Sequence, residues 1–175
     1  MAPEWGNDRV AVRIGPSGTF GGMHDSDPVA LFTHVARELD ALGIAYLHLI
    51  EPRVLGNVMD ETKDQAPVAS RLIRQHFHGL IIGAGGFTPE SAEATIAEGS
   101  VDLVAFGRFF ISNPDLPERI RNGWPLSAYD RDSFFGGDAR LAKTQSAATM
   151  AGDDTLGWRG KQGRALARSC MATAA

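Results

Sequence analysis

The residue pattern predicts an α/β fold with a parallel sheet. Three observations carry that expectation. Strand-like and helix-like segments alternate four times between residues 9 and 123. The strand-like segments are short, aliphatic and β-branched, and glycine or proline closes most of them. Three helix starts are written as a capping residue followed by proline: Asp27-Pro28, Thr88-Pro89 and Asn113-Pro114.

The first strand runs Arg9-Val-Ala-Val-Arg-Ile14 and stops at Gly15-Pro16. A helix opens at Asp27-Pro28, keeps Leu31, Phe32, Val35, Leu39 and Leu42 at helical spacing, and closes at Gly43. Strand two covers Ile44 to Ile50 and leads into Glu51-Pro52-Arg53. A helix over about Pro67 to His76 precedes strand three, Gly79-Leu-Ile-Ile-Gly83. Thr88-Pro89-Glu90 begins the next helix, which Gly99 ends. Strand four is Val101 to Phe106, followed by Gly107-Arg108, and a last short helix runs from Asn113-Pro114 to about Gly123. Four units in one direction fit half of a (β/α)₈ barrel or a small open α/β sheet. At 175 residues the chain is too short for a whole barrel, which takes about 250 residues.

Composition sets the outer limits. Hydrophobic residues at 43% and charged residues at 22% describe an ordinary globular chain. No apolar run approaches the roughly 18–20 residues of a membrane span, and no signal peptide is visible at Met1. A single cysteine, Cys170, excludes an internal disulfide and fits a reducing cytoplasm. A net charge of −4 provides no electrostatic reason for nucleic acid or an anionic membrane as partner. The charge is uneven, with residues 141–175 at +3 and the remainder at −7. That tail is rich in Ala, Thr, Gly and Ser with little periodicity. A boundary is therefore expected near Arg140: a patterned domain over 1–140, then a disordered or loosely helical tail over 141–175.

The strongest chemical signal lies in the loops after strands three and four. Ala84-Gly85-Gly86-Phe87 runs straight into a capped helix start, and Gly107-Arg108 follows strand four. Glycines let backbone N–H groups approach an anion, a helix N-terminus adds partial positive charge, and Arg108 can hold phosphate oxygens bidentately. Equally, Gly85, Gly86 and Gly107 can be turn residues and Arg108 the partner of a nearby carboxylate. Arg13 is the second signal, a buried charge near the end of a mostly buried apolar strand, calling for a ligand or an ion-pair partner. His48, Arg53, Phe109 and Phe110 read as structural, the last two as core. Asp102 reads as a solvated or capping residue. His76 and His78 carry no metal-ligand spacing, and no metal is expected. Hydrolase, Walker and Rossmann motifs are absent.

Five stretches in order resemble the old yellow enzyme family of FMN-dependent NAD(P)H:enoate reductases. They are Val10-Ala-Val-Arg-Ile14, Pro16-Ser-Gly-Thr-Phe-Gly-Gly-Met-His24, Leu47-His-Leu-Ile-Glu-Pro-Arg53, Ala84-Gly-Gly-Phe87 and Phe106-Gly-Arg-Phe-Phe-Ile-Ser-Asn-Pro-Asp-Leu116. Leu126-Ser-Ala-Tyr-Asp-Arg-Asp-Ser-Phe-Phe135 continues the likeness, which covers about residues 5 to 140.

The resemblance implies the C-terminal half of a (β/α)₈ TIM barrel, its four strands being barrel strands five to eight. It implies FMN as cofactor and NAD(P)H as reductant. Arg13 falls at the arginine of the flavin pyrimidine edge; Gly85, Gly86, Gly107 and Arg108 fall at the phosphate positions. The implied reaction passes a hydride from NAD(P)H to flavin and then to the β-carbon of an activated alkene. The family's substrate-binding and proton-donating residues belong to an N-terminal half with no counterpart here, so no catalytic residue is carried over. From Leu141 onward the sequence departs from the family. The expectation is thus an oxidoreductase fragment that self-associates or pairs with a complementary N-terminal half, or else a truncated, non-catalytic half barrel with weak FMN or phosphate binding.

Overall fold

The computed structural model describes residues 2–18, 20–55, 58–59, 68–131 and 134. The chain divides into two compact units, one ending at Ala105 and the other beginning at Phe106. The expected tail, 141–175, and the boundary near Arg140 lie outside the described residues.

The first unit begins with a short helix α1 (Ala2–Trp5) and a 3₁₀ turn over Asn7–Arg9, which shortens the expected first strand to β1 (Ala11–Ile14). Helix α2 (Pro28–Leu42) starts and stops where its residues direct. The Asp27 carboxylate accepts the Ala30 amide at 3.0 Å, Pro28 takes the position that needs no N–H donor, and Gly43 ends the helix at φ +61°. Strand β2 is Tyr46–Ile50. A small antiparallel hairpin, β3 (Val54–Leu55) and β4 (Val58–Met59), follows where the sequence suggests only loop. Helix α3 (Val68–Arg74), strand β5 (Leu80–Ala84), helix α4 (Pro89–Ala97) and strand β6 (Leu103–Ala105) complete the unit. Thr88 and Ser91 form a reciprocal capping box at the start of α4, each side chain accepting the other's backbone amide.

The four longer strands are parallel in the order β1-β2-β5-β6. That order follows the chain without a reversal, as in a barrel wall, whereas a doubly wound sheet reverses direction partway. Burial divides the two faces. Leu47, Leu49, Ile81, Gly83 and Val104 point to one side and are buried. Helix α3 lies against β2 and β5 on the helical side, and α4 lies against β6. Each fully buried Leu, Ile or Phe of this layer contributes about 1.5–3 kcal/mol. The alternate residues, Ala11 and Arg13, Tyr46 and His48, Leu80 and Ile82, Leu103 and Ala105, are half-buried or exposed, with Leu80 52% accessible. Among the described residues this is a parallel α/β sheet with helices packed on one side, consistent with part of a barrel.

Asp102 is exposed, as a solvated residue would be, yet its carboxylate ties the layer together. Its carboxylate accepts the Ile81 amide at 2.8 Å and pairs with Arg74, whose guanidinium also donates to Gly79 O at 3.0 Å. Helix α2 touches α3, but only Ala36 of α2 is fully buried; Leu31 and Leu42 of its apolar stripe are 39% and 51% exposed.

The second unit carries α5 (Arg108–Ser112) and α6 (Leu116–Asn122). Asn113 locks the junction between them. It is fully buried, accepts the Ser127 amide at 2.8 Å, and donates to Phe109 O and Ser127 O at 2.9 and 3.0 Å. Arg119, 2% exposed, pairs with Asp115 at 2.7 Å and donates to Pro125 O at 2.8 Å. The last helix therefore starts at Leu116 after Asp115, two residues beyond the Asn113-Pro114 signal, because Asn113 is spent on the loop.

Candidate functional site

In the first unit the candidate residues gather at the carboxyl ends of the parallel strands, the end at which barrel proteins place their sites. Arg13 is the penultimate residue of β1 and stands beside His48 of β2 in the parallel register. The expected burial of Arg13 is not what the fold produces. It is exposed, because β1 is the edge strand and Arg13 lies on the uncovered sheet face. Its charge is felt next door: the His48 pKa is held below its ordinary 6.5, chiefly by burial and secondarily by Arg13. His48 Nε2 is buried without a hydrogen-bond partner. A neutral imidazole thus adjoins a guanidinium on the bare face.

Gly85 and Gly86 follow β5, with φ of +123° and +69°, both in the region that favours glycine. Gly85 is also packed closely. A Cβ there would meet the Glu51 amide nitrogen at 3.2 Å, Glu51 Cβ at 3.3 Å and Val54 Cγ2 at 3.3 Å. The turn that Gly85 rests on is Glu51-Pro52-Arg53-Val54, closed by Val54 N donating to Glu51 O at 3.2 Å, with proline at its favoured second position. Glu51 N donates to Ala84 O at 2.8 Å, joining that turn to the glycine loop. The capping box engages the Thr88 and Ser91 amides and Pro89 has none, so few helix N–H groups of α4 remain for an anion.

Glu51 and Arg53 belong to this site although sequence reasoning set Arg53 aside as structural. Both are buried, 0% and 2% exposed. Burial pushes the Glu51 carboxyl pKa up; the Ser70 hydroxyl, the Arg53 charge and the Ser70 and Ala69 amides oppose that push. Burial lowers the Arg53 pKa and the Glu51 charge raises it. The Arg53 guanidinium lies 4.7 Å over the Phe87 ring, and none of its nitrogens has a hydrogen-bond partner. The sequence signal for this pair was its place, a charged dipeptide frame around proline directly after a buried strand.

In the second unit Gly107 is the N-cap of α5 and Arg108 its first residue. The sequence reading has a loop here; the structure begins a helix. Gly107 has φ −96°, and a Cβ on it would meet nothing within 4 Å, so neither backbone nor packing demands glycine there. Arg108 is half-buried, with Nη1 buried and unpartnered, and its guanidinium stands 6.0 Å from the Tyr129 ring. The alternative of a carboxylate partner for Arg108 finds no ion pair among the described residues. Phe109 and Phe110 are half-buried rather than core, and Phe109 meets Tyr129 edge-on at 5.5 Å. Tyr129 lies in a stretch without periodicity, so its only signal in the sequence is the family likeness of residues 126–135.

His78 serves the fold: its amide and Nδ1 both bond the Asp40 carboxylate, at 2.7 and 2.9 Å. Among the described residues no helix is long and apolar enough to cross a membrane.

A profile of the NADH:flavin oxidoreductase / NADH oxidase family matches residues 3–127. Putative 12-oxophytodienoate reductase 11 of Oryza sativa subsp. japonica is 40% identical over 144 residues, covering 82% of this chain and 38% of its own length. 12-Oxophytodienoate reductase 2 of Arabidopsis thaliana is 39% identical over 146 residues, with the same coverage. Among solved structures, morphinone reductase superposes with a TM-score of 0.68 at 39% identity, covering 79% of this chain and 36% of its own. The old yellow enzyme of Trypanosoma cruzi superposes with a TM-score of 0.69 at 32% identity, covering 85% and 36%. The chain thus spans well under half the length of the relatives it matches.

Proposed function

The chain belongs to the NADH:flavin oxidoreductase / NADH oxidase family, the old yellow enzymes, and on that premise we propose that it is an FMN-binding part of an NAD(P)H-dependent ene-reductase. In this reading β1, β2, β5 and β6 are barrel strands five to eight. Arg13 offers its guanidinium to the pyrimidine edge of the flavin, and Gly85, Gly86, Gly107 and Arg108 receive the phosphate. When bound, FMN supplies hydride transfer from NAD(P)H to the β-carbon of an activated alkene. The chain's own part is to bind and orient. Arg13 favours a negative charge on the ring, and burial together with that guanidinium keeps the adjacent His48 neutral. Arg108 supplies a fixed cation to the phosphate end.

The observation that carries the reading is the buried, unpartnered Nη1 of Arg108, one residue after a glycine with open space where a side chain would be. A buried guanidinium N–H without an acceptor is costly, and a phosphate oxygen is the acceptor it suits best. Titration of the purified chain with FMN and with riboflavin, followed by flavin fluorescence, tests it. FMN is expected to bind more tightly, and Arg108→Met to remove that preference. Equal affinities in the unaltered chain would overturn the phosphate assignment.

A second reading is favoured by the uncovered sheet face, where Arg13 and Leu80 are exposed. Here the chain binds flavin without turnover until that face is closed by a second copy or by a complementary N-terminal half. NADPH oxidation in the presence of an α,β-unsaturated ketone, measured alongside sedimentation, separates the two. A flavin-loaded monomer that consumes NADPH would refute the second reading.

A further inference from the structure

Arg53 stands within two residues of a buried carboxylate, is itself 2% exposed, and has no hydrogen bond from Nε, Nη1 or Nη2. Nothing in the hydride chemistry uses it. Burying a charged side chain without a hydrogen-bond partner is costly, and a site that keeps one does so for a reason that hydrophobic packing alone would not supply. What Arg53 does touch is Phe87, 4.7 Å beneath its guanidinium. Phe87 is 3% exposed and closes the Ala84-Gly85-Gly86 loop; its ring also lies where a Cβ on Gly83 would meet it, at 3.4 Å. The opposite side of the loop is held by the same short turn. Glu51 N bonds Ala84 O at 2.8 Å, and Gly85 is seated on Glu51 and Val54.

We propose that Arg53 is a positioning residue for anion binding: its guanidinium, set over the Phe87 ring, clamps the Ala84–Phe87 loop between the β2 turn and the start of α4 and so aims the backbone of Gly85 and Gly86 at a phosphate. The proposal rests on the reading above that those glycines receive the flavin phosphate. A planar cation is suited to the task. It stacks on a ring where an ammonium would meet it only at a point, and it keeps its charge in a buried setting. The positive charge also lies close to the loop that accepts the anion, in surroundings where water screens it little. The nearby Glu51 raises the Arg53 pKa, opposing the lowering that burial causes.

The test compares FMN with riboflavin, which differ only in the phosphate, on the full chain and on Arg53→Met and Arg53→Lys. A clamp on the phosphate loop makes both variants lose FMN affinity by about tenfold, the worth of one misaligned hydrogen bond to a charged group, with riboflavin affinity unchanged. A role in stability alone lowers the melting temperature and weakens both flavins together, or neither. If Arg53→Met does not fold, Arg53→Lys, which retains the charge and loses the planar group, decides by the same ratio. Full FMN preference in the folded variants overturns the assignment of Arg53 and leaves the phosphate site standing. No preference in the unaltered chain overturns the phosphate reading and this one with it.

Discussion

Replacing Gly85 and Gly107 separately by alanine makes the same chemical change at two glycines that the fold uses differently. At Gly85 the backbone is at φ +123°, a conformation that costs a residue with a Cβ about 1–3 kcal/mol. The added methyl would also sit 3.2 Å from the Glu51 amide nitrogen and 3.3 Å from Glu51 Cβ and Val54 Cγ2. All three atoms belong to the Glu51–Val54 turn, which is fastened to Ala84, so relief requires moving backbone, at a further cost of about 1–2 kcal/mol. The total, about 2–5 kcal/mol, corresponds to a fall in melting temperature on the order of 10 °C for a chain of this size. At Gly107 the backbone is at φ −96°, ψ −65° and a Cβ meets nothing within 4 Å. The lower entropy of unfolded alanine there offsets its poorer N-cap behaviour, leaving a change within about 0.5 kcal/mol. Thermal unfolding followed by far-ultraviolet circular dichroism, without flavin, reads both. A Gly85→Ala chain that melts within about 2 °C of the original, or a Gly107→Ala chain that falls as far, would refute this account of the loop.

Three further outcomes are expected. Asn113→Ala removes the acceptor of the Ser127 amide and two donated bonds from a fully buried side chain, and should cost about 2–3 kcal/mol in denaturant unfolding. Asp102→Ala leaves the Ile81 amide and Arg74 without their shared acceptor; because the pair is part-exposed, the expected loss is about 1 kcal/mol, seen as a small drop in melting temperature. Folded His48 binds a proton less readily than the unfolded chain, whose histidine titrates near 6.5. The unfolded state therefore gains protons first as pH falls, and the His48 contribution to stability, present above that value, is lost progressively below it. Melting temperatures between pH 7.5 and 5.5 should decline less in His48→Gln than in the original chain, and identical declines would exclude His48 as the cause.

The helix boundaries were legible because their causes are local. Asp27-Pro28 with Gly43, and Thr88-Pro89 with Ser91, satisfy terminal N–H and C=O groups within a few residues, so reading them needs no knowledge of the rest of the molecule. Helix α5 was missed for the same reason inverted. Gly107 caps it without a side-chain hydrogen bond, and five residues carry too little periodicity to announce a helix. The β3–β4 hairpin escaped likewise, its strands being two residues each.

The candidate site divides along a similar line. Glycines after strands and an arginine after a glycine are visible in the chain, and they led to Gly85, Gly86, Gly107, Arg108 and Arg13. The contact of Arg53 with Phe87 joins residues 34 positions apart and leaves no mark on either one's neighbours. That contact depends on the sheet register that brings the β2 turn against the β5 loop.

By itself the sequence determined the alternation of strand and helix, the caps, and the family likeness that points to a flavin, all written in short-range pattern. Tertiary structure decided what that pattern cannot hold: which sheet face is covered, and so that Arg13 is exposed while Arg53 and Glu51 are buried. Strand alternation assigns residues to two faces but not which face a helix layer covers. Burial is a property of what packs above a residue, and that is settled only when the strands take their order β1-β2-β5-β6.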